Sequence, residues 1–500
     1  MSKQMELGAE TLQRDAAALF SFVDSVCRFC LGENESPAYP APSKEFFEYI
    51  HELGAATKEY LSVFAANQPG KSKLYPLYQY YRQRLETIRL GWFEFHLLIK
   101  AAADADTLNV PYALVEALTA RLRSIRGFDK TSFAIFHIDE LNYWEIPASE
   151  IKEITDKFKR YIPKPPRFPA STGMIGIPYS QSSSLYLNFL IAHEMGHFVF
   201  EKCRVKNQIL PQIEAALKNV MDKDFETASE QALRWSKDRV SSWAEELFCD
   251  LFAVWLIGPC YSFAYIELFG LTGILDDSVP SGFSVTAGAG SAIFQPRHPA
   301  DLLRLRQQVS LLKKLGWWQA VKAIKSHYVD VLTSSTKVSE SIFEYEDKDA
   351  LLAQETIKAF FILAPRVSDR ITEIMKDSEG KRLESGLKSY LKFNDVIGKY
   401  LVRAVVPSTV FLDGEHWYPD EISILNASTR FYLESLEKLM AGVEGQKPSL
   451  AGHRSNWAKR LEGLTTKAIE DHHLLVREKG AKSVGGFFKR ADLAAAEQAS

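Results

Sequence analysis

From Leu77 onward, apolar side chains recur at Tyr81, Leu85, Ile88, Trp92, Phe95 and Ile99. A 3.6-residue spacing held for about six turns admits one local structure, a long helix with one face in a core. Leu114, Leu118, Leu122 and Ile125 form a further stripe that ends before Gly127. Residues 1–128 therefore read as an N-terminal helical domain, most simply a bundle. His96 lies one position off the long stripe and reads as a core or boundary histidine. Leu19, Phe22, Val23, Val26, Cys27 and Cys30 also share one helical face, so Cys27-Arg28-Phe29-Cys30 reads as core packing, not as a redox or metal pair.

The pattern changes after Gly127. Ser132 to Ile138 reads as a strand, and Tyr143-Trp144-Glu145-Ile146 as a second, shorter one. Pro163, Pro165, Pro166 and Pro169 mark an irregular connection into a third strand, Thr172 to Tyr179. Pro178 cannot donate to a ladder, which suits a sheet edge where an extended peptide could pair. The stretch 204–240, rich in charged and helix-forming residues, reads as an inserted helical pair, and Pro280 to Gly290 as a loop.

Between these lies His193-Glu194-Met195-Gly196-His197. Residues four apart share a helix face, so His193 and His197 can offer both imidazoles to one metal ion with Glu194 beside them. Gly196 costs about 1 kcal/mol of helix propensity relative to alanine but permits a close approach. His51-Glu52-Leu53-Gly54-Ala55 begins the same way, yet has Ala55 where a second ligand belongs, and is assigned no chemistry. A secure site needs a third protein ligand. Cys203 has the spacing of the metzincin pattern, but Phe200 stands where that pattern needs a turning glycine. Glu246 and Asp250 are one helical turn apart, which suits a carboxylate ligand followed by a carboxylate that receives a ligand histidine's other N–H. Glu245 is the rival of Glu246.

In these residues the chain resembles the gluzincin metallopeptidases, in which His-Glu-x-x-His is followed by a helix carrying Glu-x-x-x-Asp. The resemblance covers roughly residues 130–310. It implies one zinc ion per chain held by His193, His197 and Glu246, with Glu194 as general base and Asp250 as the partner of His193. It also implies a zincin-like core with a small sheet. His298, in Arg297-His298-Pro299, is the candidate donor to the oxyanion formed in hydrolysis, with Tyr179, Arg297, His327 and Tyr328 as alternatives.

The expected fold is thus α+β and predominantly α-helical: a zincin-like catalytic domain over 129–310, a C-terminal helical domain over 311–484, and a weakly ordered tail over 485–500. With 46% apolar and 25% charged residues the chain is composed like a globular protein. A net charge of −3, without clustered basic and aromatic residues, gives no reason to expect nucleic acid. The apolar stretch Leu251 to Ile266 is broken by Gly258-Pro259 and is too short for a membrane span. Five cysteines and no apolar N-terminal leader point to the cytoplasm. The expected activity is hydrolysis of a protein or peptide substrate. Its rivals are a zinc amidohydrolase acting on a small amide, and a non-catalytic zincin-like protein that engages a regulatory protein partner.

Overall fold

The computed structural model describes residues 2–31, 44–66, 71–107, 112–138, 143–146, 148–162, 164–178, 180–181, 184–227, 230–271, 299, 301–336, 348–375, 380–441 and 449–480. They are mostly α-helical, with one three-stranded sheet and one two-stranded sheet. The chain forms two compact units, one of residues 1–115 and 127–183, the other of residues 116–126 and 184–500.

The first unit is built on α1 (Ser2–Leu31), α2 (Lys44–Ala66) and α3 (Lys71–Thr107). Leu85, Ile88, Trp92, Phe95 and Ile99 of α3 are buried, as their spacing requires, each side chain contributing about 2 kcal/mol of apolar burial. The Trp92 indole donates to Thr57 Oγ1 at 3.1 Å, and Thr57 in turn donates to the Leu53 carbonyl at 2.7 Å, so the polar edge of the ring is satisfied inside the core. Cys27 is buried in the same cluster, and His96 meets Phe22 edge-on at 5.6 Å at its boundary. His51 is exposed.

After α4 (Tyr112–Arg123) come β1 (Ser132–Ile138), β2 (Trp144–Glu145), α5 (Ala148–Lys159) and β3 (Thr172–Pro178). The strand order is β1-β3-β2, with β3 parallel to β1 and antiparallel to β2. The expectation that this strand is a sheet edge is therefore wrong: β3 is the central strand. Pro178 is tolerated because it occupies the last register position, opposite Ile138, where the ladder ends. Every residue of β3 is buried, as befits a strand covered on both faces.

After residues 116–126, the second unit continues with a 3₁₀ turn, Leu187–Leu190, that runs directly into α6 (Ile191–Lys202), followed by α7 (Val205–Thr227) and α8 (Glu230–Ile257). The stretch expected to be a helical pair is instead α7 plus the first half of α8, which continues without a break through Glu246 and Asp250. Beyond Asp250 it is apolar all round and buried all round, and along its length α8 packs against α6, α7, α10 (Asp301–Lys314) and α13 (Lys348–Met375). Gly258, at φ +75°, ends α8, and Pro259 opens α9 (Pro259–Leu271). Asn426 joins the two: its Nδ2 donates to the Ile257 carbonyl and its Oδ1 accepts from the Cys260 N–H, both at 2.9 Å. The short α11 (Trp318–Lys322) and α12 (His327–Ser335) precede α13, and α14 (Gly380–Val402), a hairpin of β4 (Val410–Leu412) and β5 (Glu415–Trp417), α15 (Glu421–Ala441) and α16 (Ser449–Gly480) complete the unit. Among the described residues no helix is long and apolar enough to cross a membrane.

Candidate metal centre

The site lies where α6 crosses α8. A Cβ on Gly196 would stand 2.8 Å from the Cys249 Cα, so the glycine is what lets the two helices approach this closely. Phe200, the residue that breaks the metzincin pattern, is buried against Phe248 with ring centroids 5.3 Å apart. Cys203 caps the end of α6, after which Arg204, at φ +52°, turns the chain into α7.

This crossing brings His193, Glu194, His197, Glu245, Glu246 and Asp250 together. His193, Glu194 and Glu246 are 7–8% exposed and Asp250 is fully buried. The two imidazoles stand nearly perpendicular, at 78° with centroids 5.1 Å apart. Each presents one nitrogen to Glu246: His193 Nε2 lies 3.4 Å from Oε2, and His197 Nε2 lies 3.8 Å from Oε1. The opposite nitrogens are engaged by other carboxylates. His193 Nδ1 is 3.0 Å from Asp250 Oδ1, and His197 Nδ1 is 3.0 Å from Glu245 Oε1. Glu245 and Glu246 are thus not competitors for one position; they face opposite nitrogens of the same ring.

Three further side chains, none of them singled out by spacing, complete the surroundings. The Tyr261 hydroxyl donates to Asp250 Oδ1 at 2.5 Å, and its ring lies parallel to His193. Arg304 donates from Nε to Asp250 Oδ2 at 2.7 Å and from Nη2 to Asp250 Oδ1 at 2.8 Å, and Nη2 also lies 3.2 Å from Glu246 Oε2. Cys249 is fully buried, and its Sγ lies with one nitrogen from each of His193 and His197 in a group of ligand atoms all within 4.8 Å of one another.

The electrostatics follow from this crowding. Burial opposes a charged His193, but its hydrogen bonds to Asp250 and Glu246 and the charge of Glu194 outweigh it and push the pKa up to about 10. His197 is raised as well, against burial, by Cys249, Glu245 and Glu194. Burial would raise Asp250, but Arg304 and His193 hold it at about 2. Burial pushes the Cys249 thiol up. The site thus concentrates negative charge around two imidazoles, a setting that favours a cation.

Three of the residues, His193, His197 and Cys249, could hold a metal ion. In a tetrahedral shell with nitrogen and oxygen ligands at about 2.0–2.1 Å, donor atoms are about 3.3 Å apart. Glu246 Oε2, 3.4 Å from His193 Nε2, is near that spacing, whereas Oε1 lies 3.8 Å from His197 Nε2, beyond it. Glu246 approaches both histidines, through a different oxygen to each, but neither it nor Cys203 is part of that group, the one found among the described residues. His298, Arg297 and Tyr179 lie outside the described residues. Of the other candidates for an oxyanion donor, Tyr328 turns its hydroxyl to Glu267, and His327 is exposed against the Tyr328 ring. No family model, curated protein or solved structure matches the chain.

Proposed function

We propose that the chain is a zinc-dependent metallopeptidase with a zincin-like core, its single zinc ion held by His193, His197 and Glu246. The observation that carries this reading is the polarity of the two imidazoles: both Nε2 atoms face one carboxylate, while both Nδ1 atoms are engaged by others. Carboxylates on the Nδ1 side orient ligand histidines and make them more basic. Glu246 is preferred to Cys249 because it faces both Nε2 atoms, whereas Cys249 is packed at the Gly196 contact. Zinc, when bound, supplies Lewis acidity that polarises an amide carbonyl and lowers the pKa of water.

The remaining chemistry belongs to Glu194. It is 7% exposed and close enough to raise the pKa of both histidines. From there it would accept a proton from the attacking water and deliver it to the leaving amine, the service of a general acid–base worth about 10²- to 10⁴-fold in rate. The free thiols of Cys27, Cys203, Cys249 and Cys260 fit a reducing compartment such as the cytoplasm.

The test is turnover of a peptide library by the intact chain and by its Glu194→Gln form. The variant is expected to retain zinc and to lose at least about 100-fold in rate. Full activity in that variant would sink the mechanism.

A further inference from the structure

Arg304 and Tyr261 converge on the carboxylate that faces His193, and the direction of each hydrogen bond can be assigned. Asp250 Oδ2 accepts from Arg304 Nε at 2.7 Å; Oδ1 accepts from Arg304 Nη2 at 2.8 Å and from the Tyr261 hydroxyl at 2.5 Å. Tyr261 has one hydroxyl proton and directs it at Asp250, so the tyrosine oxygen, 3.1 Å from His193 Nδ1, meets that nitrogen as an acceptor. Asp250 Oδ1, 3.0 Å away, is an acceptor too. Both atoms facing Nδ1 therefore require a proton there. The lone pair of a neutral His193 is left on Nε2, the nitrogen turned to Glu246. Arg304 reaches past Asp250 as well, with Nη2 3.2 Å from Glu246 Oε2. Its own place is fixed: it is 4% exposed, its guanidinium lies 4.9 Å from the centre of the Tyr265 ring, and the Tyr265 hydroxyl donates to Asp301 at 2.7 Å, one turn away on α10.

We infer that Arg304 and Tyr261 are positioning residues of the metal site: they hold Asp250 as an acceptor-only carboxylate, which sets the His193 tautomer, and Arg304 at the same time restrains Glu246. This inference rests on the proposed metal site. An arginine is suited to the task because its planar fork binds both oxygens of one carboxylate in a fixed orientation, which a lysine cannot do.

The test measures zinc dissociation constants for the full chain by competition with a chromophoric chelator. It compares the native chain with Arg304→Met, Arg304→Lys, Tyr261→Phe, Asp250→Asn and the Arg304→Met/Asp250→Asn double variant. Loss of an outer-shell partner weakens metal binding about 10- to 100-fold. That loss is expected for Arg304→Met, with partial rescue in Arg304→Lys and a loss of about tenfold for Tyr261→Phe. Because the arginine acts through Asp250, the double variant should lose less than the product of the two single losses. Native-like affinity in Arg304→Met, or multiplicative losses in the double variant, overturns the inference and leaves the metal reading intact. A native chain that binds no zinc removes the proposed function and this inference with it. Should the Arg304→Met chain fail to fold, Tyr261→Phe, which deletes one hydroxyl, decides the matter: unchanged affinity overturns the inference.

Discussion

Glu245 engages His197 Nδ1 at 3.0 Å while its neighbour Glu246 stands 3.8 Å from Nε2 of the same ring. Two consecutive carboxylates of α8 thus grip both edges of one imidazole. Their expected contributions differ. Removing Glu245, which is 35% exposed and only orients the ring, should weaken zinc binding about tenfold. Removing Glu246 should abolish stoichiometric binding. Equal losses for Glu245→Ala and Glu246→Ala in a zinc titration would mean that the two roles are wrongly divided.

Gly196 sets the distance between α6 and α8. A methyl group there would lie 2.8 Å from the Cys249 Cα, an atom of the backbone that no rotamer change can move. Gly196→Ala must therefore push the helices apart, at a cost of about 1–3 kcal/mol from overpacking, larger than the helix propensity that alanine gains. Denaturant unfolding should show an earlier midpoint, and zinc affinity should fall because the proposed ligands sit on the two displaced helices. An unchanged midpoint would show that the contact is slack.

Acid sensitivity is expected from Glu421 at the start of α15, whose Oε2 pairs with His472 Nε2 at 2.9 Å. Burial would raise its pKa, but the His472 hydrogen bond and the charge of Arg121 bring it down from 4.5 to about 2. A carboxyl whose folded pKa lies below its unfolded value stabilises fully above the unfolded pKa, and loses that contribution as pH falls through the folded one. The contribution, up to about 3 kcal/mol, is present above pH 4.5 and fades toward pH 2. Stability curves for Glu421→Gln should be lower near neutrality and flatter across that window. A slope equal to the native one would rule out this group as its source.

Periodicity made the helical architecture legible in the sequence. Ile88, Trp92, Phe95 and Ile99 are all fully buried because a long stripe leaves a helix only one way to face a core. The four-residue steps of His193 to His197 and Glu246 to Asp250 were readable for the same reason: one turn of helix fixes which residues share a face. Position within the sheet was misread, because Pro178 signals an edge only where its missing N–H would interrupt a ladder, and here the ladder ends. Met174, Ile175 and Ile177, buried in β3, were the better guide to a central strand. Continuity of α8 was missed because a change from charged to apolar composition was read as a boundary, although no breaker lies between Glu230 and Ile257. Arg304 is 54 residues from Asp250, and no spacing rule reaches that far. Tyr261 and Cys249 lie near the motif in sequence, but no ligand spacing marked either of them.

The proposed centre turns on which side chain joins His193 and His197 at the metal, and zinc content per chain measures that most directly. Elemental analysis should be run on the native chain and on its Glu246→Gln and Cys249→Ser forms, each dialysed against the same limiting zinc. One zinc per chain is expected for the native protein and for Cys249→Ser, with little or none for Glu246→Gln. Zinc retained by Glu246→Gln and lost from Cys249→Ser, or absent from the native chain, would contradict it.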